Sequence, residues 1–195
     1  MSLRRRISRS RRGGIDVRLP LEERALVAAL PLQLERLLES APGAGSEPDE
    51  SLRRLFPVAY ARDAEAERAY SGLVRGELLE HRREALAVLA QTADAAHLSD
   101  DEADAWLGAI NDLRLVLGTT LAVTEDAPEV AEGDPGFAQW SCYAYLSYLQ
   151  GELVDALASA LPPPVPGADD EIPVDPWGEL PGDLRWDGTP KPGAR

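Results

Sequence analysis

Hydrophobic positions along the chain follow two rhythms. Ile15, Val17 and Leu19 alternate with charged or polar neighbours, which predicts a short strand. From Pro20 the period lengthens, and Leu21, Ala25, Leu26, Leu30, Leu34 and Leu37 recur at helical spacing. Pro31 lies inside that run and predicts a kink or split, because its ring displaces a backbone hydrogen bond one turn earlier. Residues 41–50 lose all periodicity and read as a loop. Leu52, Leu55 and Phe56 then make a short apolar turn, stopped by Pro57.

Asp63 is a plausible N-cap for a helix over about 64–96, with the stripe Ala66, Tyr70, Leu73/Val74, Leu78, Ala85 and Leu89. Gly72 and Gly76 weaken it locally. The clearest helix start follows, where Ser99-Asp100-Asp101-Glu102 forms a capping box. Ala103, Trp106, Ile110, Leu113, Leu117 and Leu121 give that helix one apolar face. Its second face, Gly108, Asn111, Leu115, Gly118 and Ala122, is mostly small and predicts a seat for the last helix. That last helix is expected to start at Asp134-Pro135, an N-cap followed by proline at the first helical position. It carries Phe137, Trp140, Tyr143, Tyr145 and Tyr148, five of the eleven aromatics, and ends at Leu161 before Pro162-Pro163-Pro164. An aromatic helix of this kind suits the core or a seam with a second copy.

These elements predict an all-α fold, an irregular bundle of four to five main helices with a short N-terminal strand. Residues 1–13 are expected to be a disordered arginine-rich arm, 14–161 the helical domain, and 162–195 a disordered acidic tail holding nine of the sixteen prolines.

Charge changes this picture by its distribution. The net charge of −14 argues against broad attraction to nucleic acid or an anionic membrane. Residues 1–18 nevertheless carry seven arginines against Asp16, a net of +6, and the tail carries a net of −4, which leaves −16 on the body. The stretch Arg4, Arg5, Arg6, Arg9, Arg11 and Arg12 can neutralise phosphates in a salt-dependent, sequence-blind way, or fold onto the protein's own acidic body. No basic recognition helix accompanies it. A membrane span needs about 18–20 apolar residues, and no run approaches that. The front end lacks the apolar stretch of a signal peptide, so the expected compartment is the cytoplasm.

Candidate chemistry is sparse. His81 has Glu77 and Glu84 at i−4 and i+3, but a ferritin-like site needs a second Glu-x-x-His helix, so a half-buried structural histidine is expected. His97 precedes the capping box and is expected to be exposed. Cys142 shares a core-facing series with Leu146, Leu149, Leu153 and Leu157, where a thiol acts as a small hydrophobe. As the only cysteine it cannot close an internal disulfide, although a redox role between two copies stays open. The carboxylate cluster at 100–104 suits helix-end electrostatics. No phosphate loop, nucleophile elbow, zinc spacing or dinucleotide fingerprint is present, so neither an enzyme nor a bound cofactor or metal is expected. Trp177 and Trp186 stand in the tail as apolar anchors of the kind that dock on a partner.

Arg11-Arg12-Gly13-Gly14-Ile15, Leu52-Arg53-Arg54-Leu55-Phe56-Pro57, and above all Trp106-Leu107 through Asn111-Asp112-Leu113-Arg114-Leu115-Val116-Leu117-Gly118-Thr119 to Val123-Thr124-Glu125-Asp126 carry a resemblance. Tyr148-Leu149-Gln150-Gly151-Glu152-Leu153-Val154 fits it too. The chain resembles, over about 11–160, the actinobacterial domain-of-unknown-function family that includes AosR-type oxidative-stress regulators. The resemblance implies a cytoplasmic regulator that works with the transcription machinery, or an adaptor linked to Clp-type proteolysis. The thiol switch of AosR-type members finds no second cysteine here beside Cys142.

Overall fold

A computed structural model describes residues 5–40, 50–60, 62–124 and 130–160. All of these lie in the first of two units into which the chain divides, 1–161 and 162–195. Arg4, Trp177 and Trp186 lie outside the described residues.

Four helices carry the fold, and a small antiparallel sheet closes one side of it. Strands β1 (Ile7–Arg9) and β2 (Ile15–Val17) form a hairpin, and helix α1 spans Leu21–Ser40. A 3-10 turn at Glu50–Leu52 leads to α2 (Ala64–Thr92), β3 (His97–Leu98), α3 (Asp100–Thr120) and α4 (Phe137–Ala158). The sheet order is β1-β2-β3, with Ile7 opposite Val17, Ser8 opposite Asp16, and Ile15 opposite Leu98. Alternation turns Ile7, Ile15, Val17 and Leu98 into the core and leaves Ser8, Asp16 and His97 across the outer face.

The expected strand at Ile15–Val17 is present, but it has two partners. Residues 7–9, assigned by charge to a disordered arm, are β1 instead, and Ile7 is fully buried. The hairpin reverses at Gly13 and Gly14, both at positive φ. Gly14 has no alternative, because a Cβ there would stand 2.3 Å from the Leu98 carbonyl oxygen.

Pro31 does not split α1. Val27, Leu30, Leu34 and Leu38 are all buried around it, and their core contacts offset the missing backbone bond. Helix α2 stops at Thr92, short of 96, because the Ala96 carbonyl accepts the Val17 N–H at 2.9 Å and starts the sheet's third strand. Its N-cap is Asp63, whose carboxylate accepts the Glu65 and Ala66 N–H groups at 3.0 Å. Ser99 and Glu102 form the expected capping box. Asp134 does not cap α4. It accepts the Ala131 N–H in a turn, and the helix starts at Phe137 after left-handed Gly136.

Trp106 sits fully buried at the centre, and its indole N–H donates to the Thr92 hydroxyl at 2.7 Å. That hydroxyl donates to the Val88 carbonyl at 2.6 Å, so the polar edge of the tryptophan is satisfied inside α2. Helix α4 seats on α3 through Asn111, Arg114 and Gly118. The Gln150 amide donates to Asn111 at 3.3 Å, Arg114 donates to the Ser147 hydroxyl at 2.8 Å and to Gln150, and a Cβ on Gly118 would stand 3.3 Å from the Tyr143 ring. Gly108, expected on the same seam, faces open space.

Candidate functional site

The arginine-rich segment is pinned to the body by carboxylates distant in sequence. Arg6 makes a two-pronged pair with Glu23, at 2.8 and 2.9 Å, and the Tyr145 hydroxyl donates to the same carboxylate at 2.8 Å. Burial, then the hydrogen bond to Glu23, pushes the Tyr145 phenol well above its ordinary range. Beside it, Glu152 of α4 accepts the backbone N–H groups of Arg6 and Ile7 at 2.7 and 2.9 Å and the Tyr148 hydroxyl at 2.7 Å. Arg9 forks onto Asp100 at the start of α3, and Arg5 lies 3.6 Å from Asp155. Arg6 and Arg9 therefore hold the hairpin down.

Arg11 and Arg12, at the hairpin tip, are exposed, and their guanidinium groups have no partner among the described residues. With Ser8, Arg9, Ser10, Asp16 and Arg18 they line an open concavity. Asp16 accepts from His97 at 3.2 Å, and this contact holds its carboxyl below the usual range. The concavity is net cationic on an otherwise acidic protein.

The residues that carried the family resemblance converge on one arginine that the sequence reading overlooked. Arg82 of α2 pairs with Asp112 of α3, donates to the Leu55 carbonyl at 3.0 Å, and stands 5.7 Å from the Phe56 ring centre. Arg75 covers the same ring at 4.7 Å. The side chains of Arg82 and Asp112 are only 15% and 8% exposed, and burial holds the Asp112 carboxyl above its ordinary value against the pull of Arg82. This site is a structural brace. It locks the 52–56 turn against α2 and α3.

Cys142 is half-buried on α4, and burial pushes its thiol up, away from the reactive thiolate. His81 was expected to be half-buried and is exposed instead; His97 is exposed as expected. No group of three or more metal-ligating side chains occurs among the described residues. No described helix is long and apolar enough to cross a membrane.

A second surface stands apart from the hairpin. Val58, Tyr60, Tyr70 and Leu73 are exposed, and the Tyr60 and Tyr70 rings meet edge-on at 5.8 Å. Glu67 fastens the loop to the helix by accepting the Ala59 and Tyr60 N–H groups at 2.9 and 2.8 Å. Those bonds, the Tyr60 amide first, hold its carboxyl below the usual range.

The family described as "Domain of unknown function (DUF2017)" matches residues 4–157, from the pinned hairpin to the end of α4. The chain belongs to this family. Within DUF2017 the brace and the hairpin anchor both fall inside the matched span. The chain is also similar to a "Putative oxidative stress regulator AosR" of Mycobacterium leprae, 33% identical over 56% of this chain and 58% of that protein. It is 30% identical to the "Oxidative stress regulator AosR" of Mycobacterium tuberculosis, over 63% of this chain and 65% of that protein. The chain thus spans about three fifths of the curated relatives it matches. No solved structure matches it significantly.

Proposed function

We propose that this DUF2017 protein is a non-enzymatic cytoplasmic regulator of the oxidative-stress type, working mainly through protein partners. The observation that carries the reading is its similarity to the AosR regulators over 56% and 63% of the chain. The exposed Val58, Tyr60 and Tyr70 surface offers apolar anchors to a protein partner. Trp177 and Trp186 add two aromatic anchors in the tail. The hairpin tip supplies the nucleic-acid contact, through Arg11 and Arg12 above all, since Arg6 and Arg9 already have carboxylate partners. With one cysteine, a disulfide response through Cys142 would have to join two molecules.

Capture from native lysate, with and without oxidant, tests the reading. Recovery of polymerase or a sigma factor supports it, and loss of that recovery in Tyr60→Ala/Tyr70→Ala would put the contact on that tyrosine pair. Recovery of protease components instead supports a second reading, a homodimeric adaptor linked to Clp-type proteolysis with no nucleic-acid role. The uncovered face of α2 favours that alternative equally. Gel-shift titration of Arg11→Ala/Arg12→Ala at several salt concentrations isolates the hairpin. Equal, negligible binding by variant and parent would remove nucleic acid from the account.

A further inference from the structure

Helix α2 is the longest among the described residues, yet its only buried residues are Ala85, Leu86 and Leu89. The preceding stretch from Ala64 to Glu84 extends about 30 Å without one. At about 100° per residue, Glu65, Ala69, Gly72, Gly76 and Arg83 fall in one narrow sector, with Leu73 and Glu80 along its outer rim. Leu73 is 78% exposed, and a Cβ on Gly72 or Gly76 would meet nothing within 4 Å. Neither Glu65 nor Arg83 forms an ion pair with any described residue. Glu65, Ala69, Gly72 and Gly76 of this sector are exposed, and Arg83 is partly so.

We propose that this face is covered by a second copy of the chain, with the two α2 helices antiparallel and their two-fold axis level with Val74, on the opposite side of the helix from that residue. The charge pattern selects both partner and register. Glu65 and Arg83 lie nine residues to either side of Val74, so antiparallel pairing sets Glu65 of each copy against Arg83 of the other. The same register sets Gly72 against Gly76 at the crossing, where missing side chains let the backbones approach. Leu73 of each helix then covers the other's glycine pair. A parallel pairing would instead stack Glu65 on Glu65 and Arg83 on Arg83, which like charges disfavour. The aromatic helix α4, the seam suggested by composition, is already committed to α3 through Arg114, Ser147 and Gln150.

Light scattering on the eluting full-length protein over a concentration series, with Cys142 kept reduced, tests the assembly. The expected result is a dimer whose dissociation constant rises about tenfold or more in Leu73→Glu and in Glu65→Arg. Restoration by Glu65→Arg/Arg83→Glu would show that the two positions face each other. A monomer at every concentration overturns the proposal, as does a dimer that ignores the charge reversals or is not rescued by the double swap. Circular dichroism separates loss of assembly from loss of fold, and these positions are outside the core. A monomeric result would leave the regulatory reading intact, because that reading rests on the family comparisons and on partner capture.

Discussion

Replacing Arg82 with methionine should be the most costly single change outside the apolar core. The side chain keeps its bulk but loses the charge opposite Asp112 and the donor to the Leu55 carbonyl. Removing one member of a buried pair strands the other, at a cost of about 3–5 kcal/mol. The pair itself is not ideally satisfied, since the Arg82 Nε is buried without a hydrogen-bond partner. Replacing both residues, Arg82→Met/Asp112→Leu, should therefore bring stability back to within about 1–2 kcal/mol of the parent, the residue being the Leu55 carbonyl left without a donor. The pH dependence gives a second check. Burial holds Asp112 above the ordinary value of 3.8, so the folded state keeps that proton longer than the unfolded chain does. Its contribution is full in acid and declines as the pH rises past 3.8. Losing the guanidinium sharpens this, so the Arg82→Met deficit should be smallest near about pH 4 and largest near about pH 7. Urea unfolding followed through the fluorescence of buried Trp106 measures each variant at both pH values. A single-variant deficit below about 1 kcal/mol at neutral pH, or a double variant no better than the single, would refute the brace.

Three further outcomes follow from the geometry. Glu152→Ala removes the acceptor for two backbone N–H groups and should cost about 2–4 kcal/mol, with faster hydrogen exchange at Arg6 and Ile7; unchanged protection there would show that the hairpin needs no such anchor. Gly14→Ala combines positive φ with a Cβ 2.3 Å from the Leu98 oxygen, and should lower the thermal midpoint far more than Gly13→Ala, whose Cβ meets nothing. Cys142 in the folded protein should react with a thiol reagent at neutral pH more slowly than in urea, because burial raises its pKa; equal rates would mean the thiol is free.

Helix existence was legible because its causes are local. Ser99 and Glu102 sit three residues apart, and Asp63 touches only the first turn of its own helix. The hairpin was misread because the decisive groups lie elsewhere. Six arginines in nine residues repel one another, and β1 forms because Asp155, Glu23 and Asp100 are brought beside Arg5, Arg6 and Arg9 and Glu152 beside the backbone. A charge count over a short window cannot contain those partners. Pro31 was read by its effect on an isolated helix, whereas the packed face of α1 outweighs it. Arg82 was invisible for the same reason as the hairpin, since Asp112 and Leu55 lie 30 and 27 residues away. Its neighbours showed in the sequence as recognisable motif residues, but nothing local said what they enclose.

The grip of Glu152 on the backbone of Arg6 and Ile7 closes a loop of nearly 150 residues. During synthesis, β1 must therefore wait for α4 before it is fixed in place. Until α4 arrives, β1 is an edge with exposed amides and an unburied isoleucine, and its arginines lack one of their carboxylate partners. Contacts this remote slow the final folding step. Any factor that handles the nascent chain before α4 emerges would meet a cationic, incompletely paired hairpin.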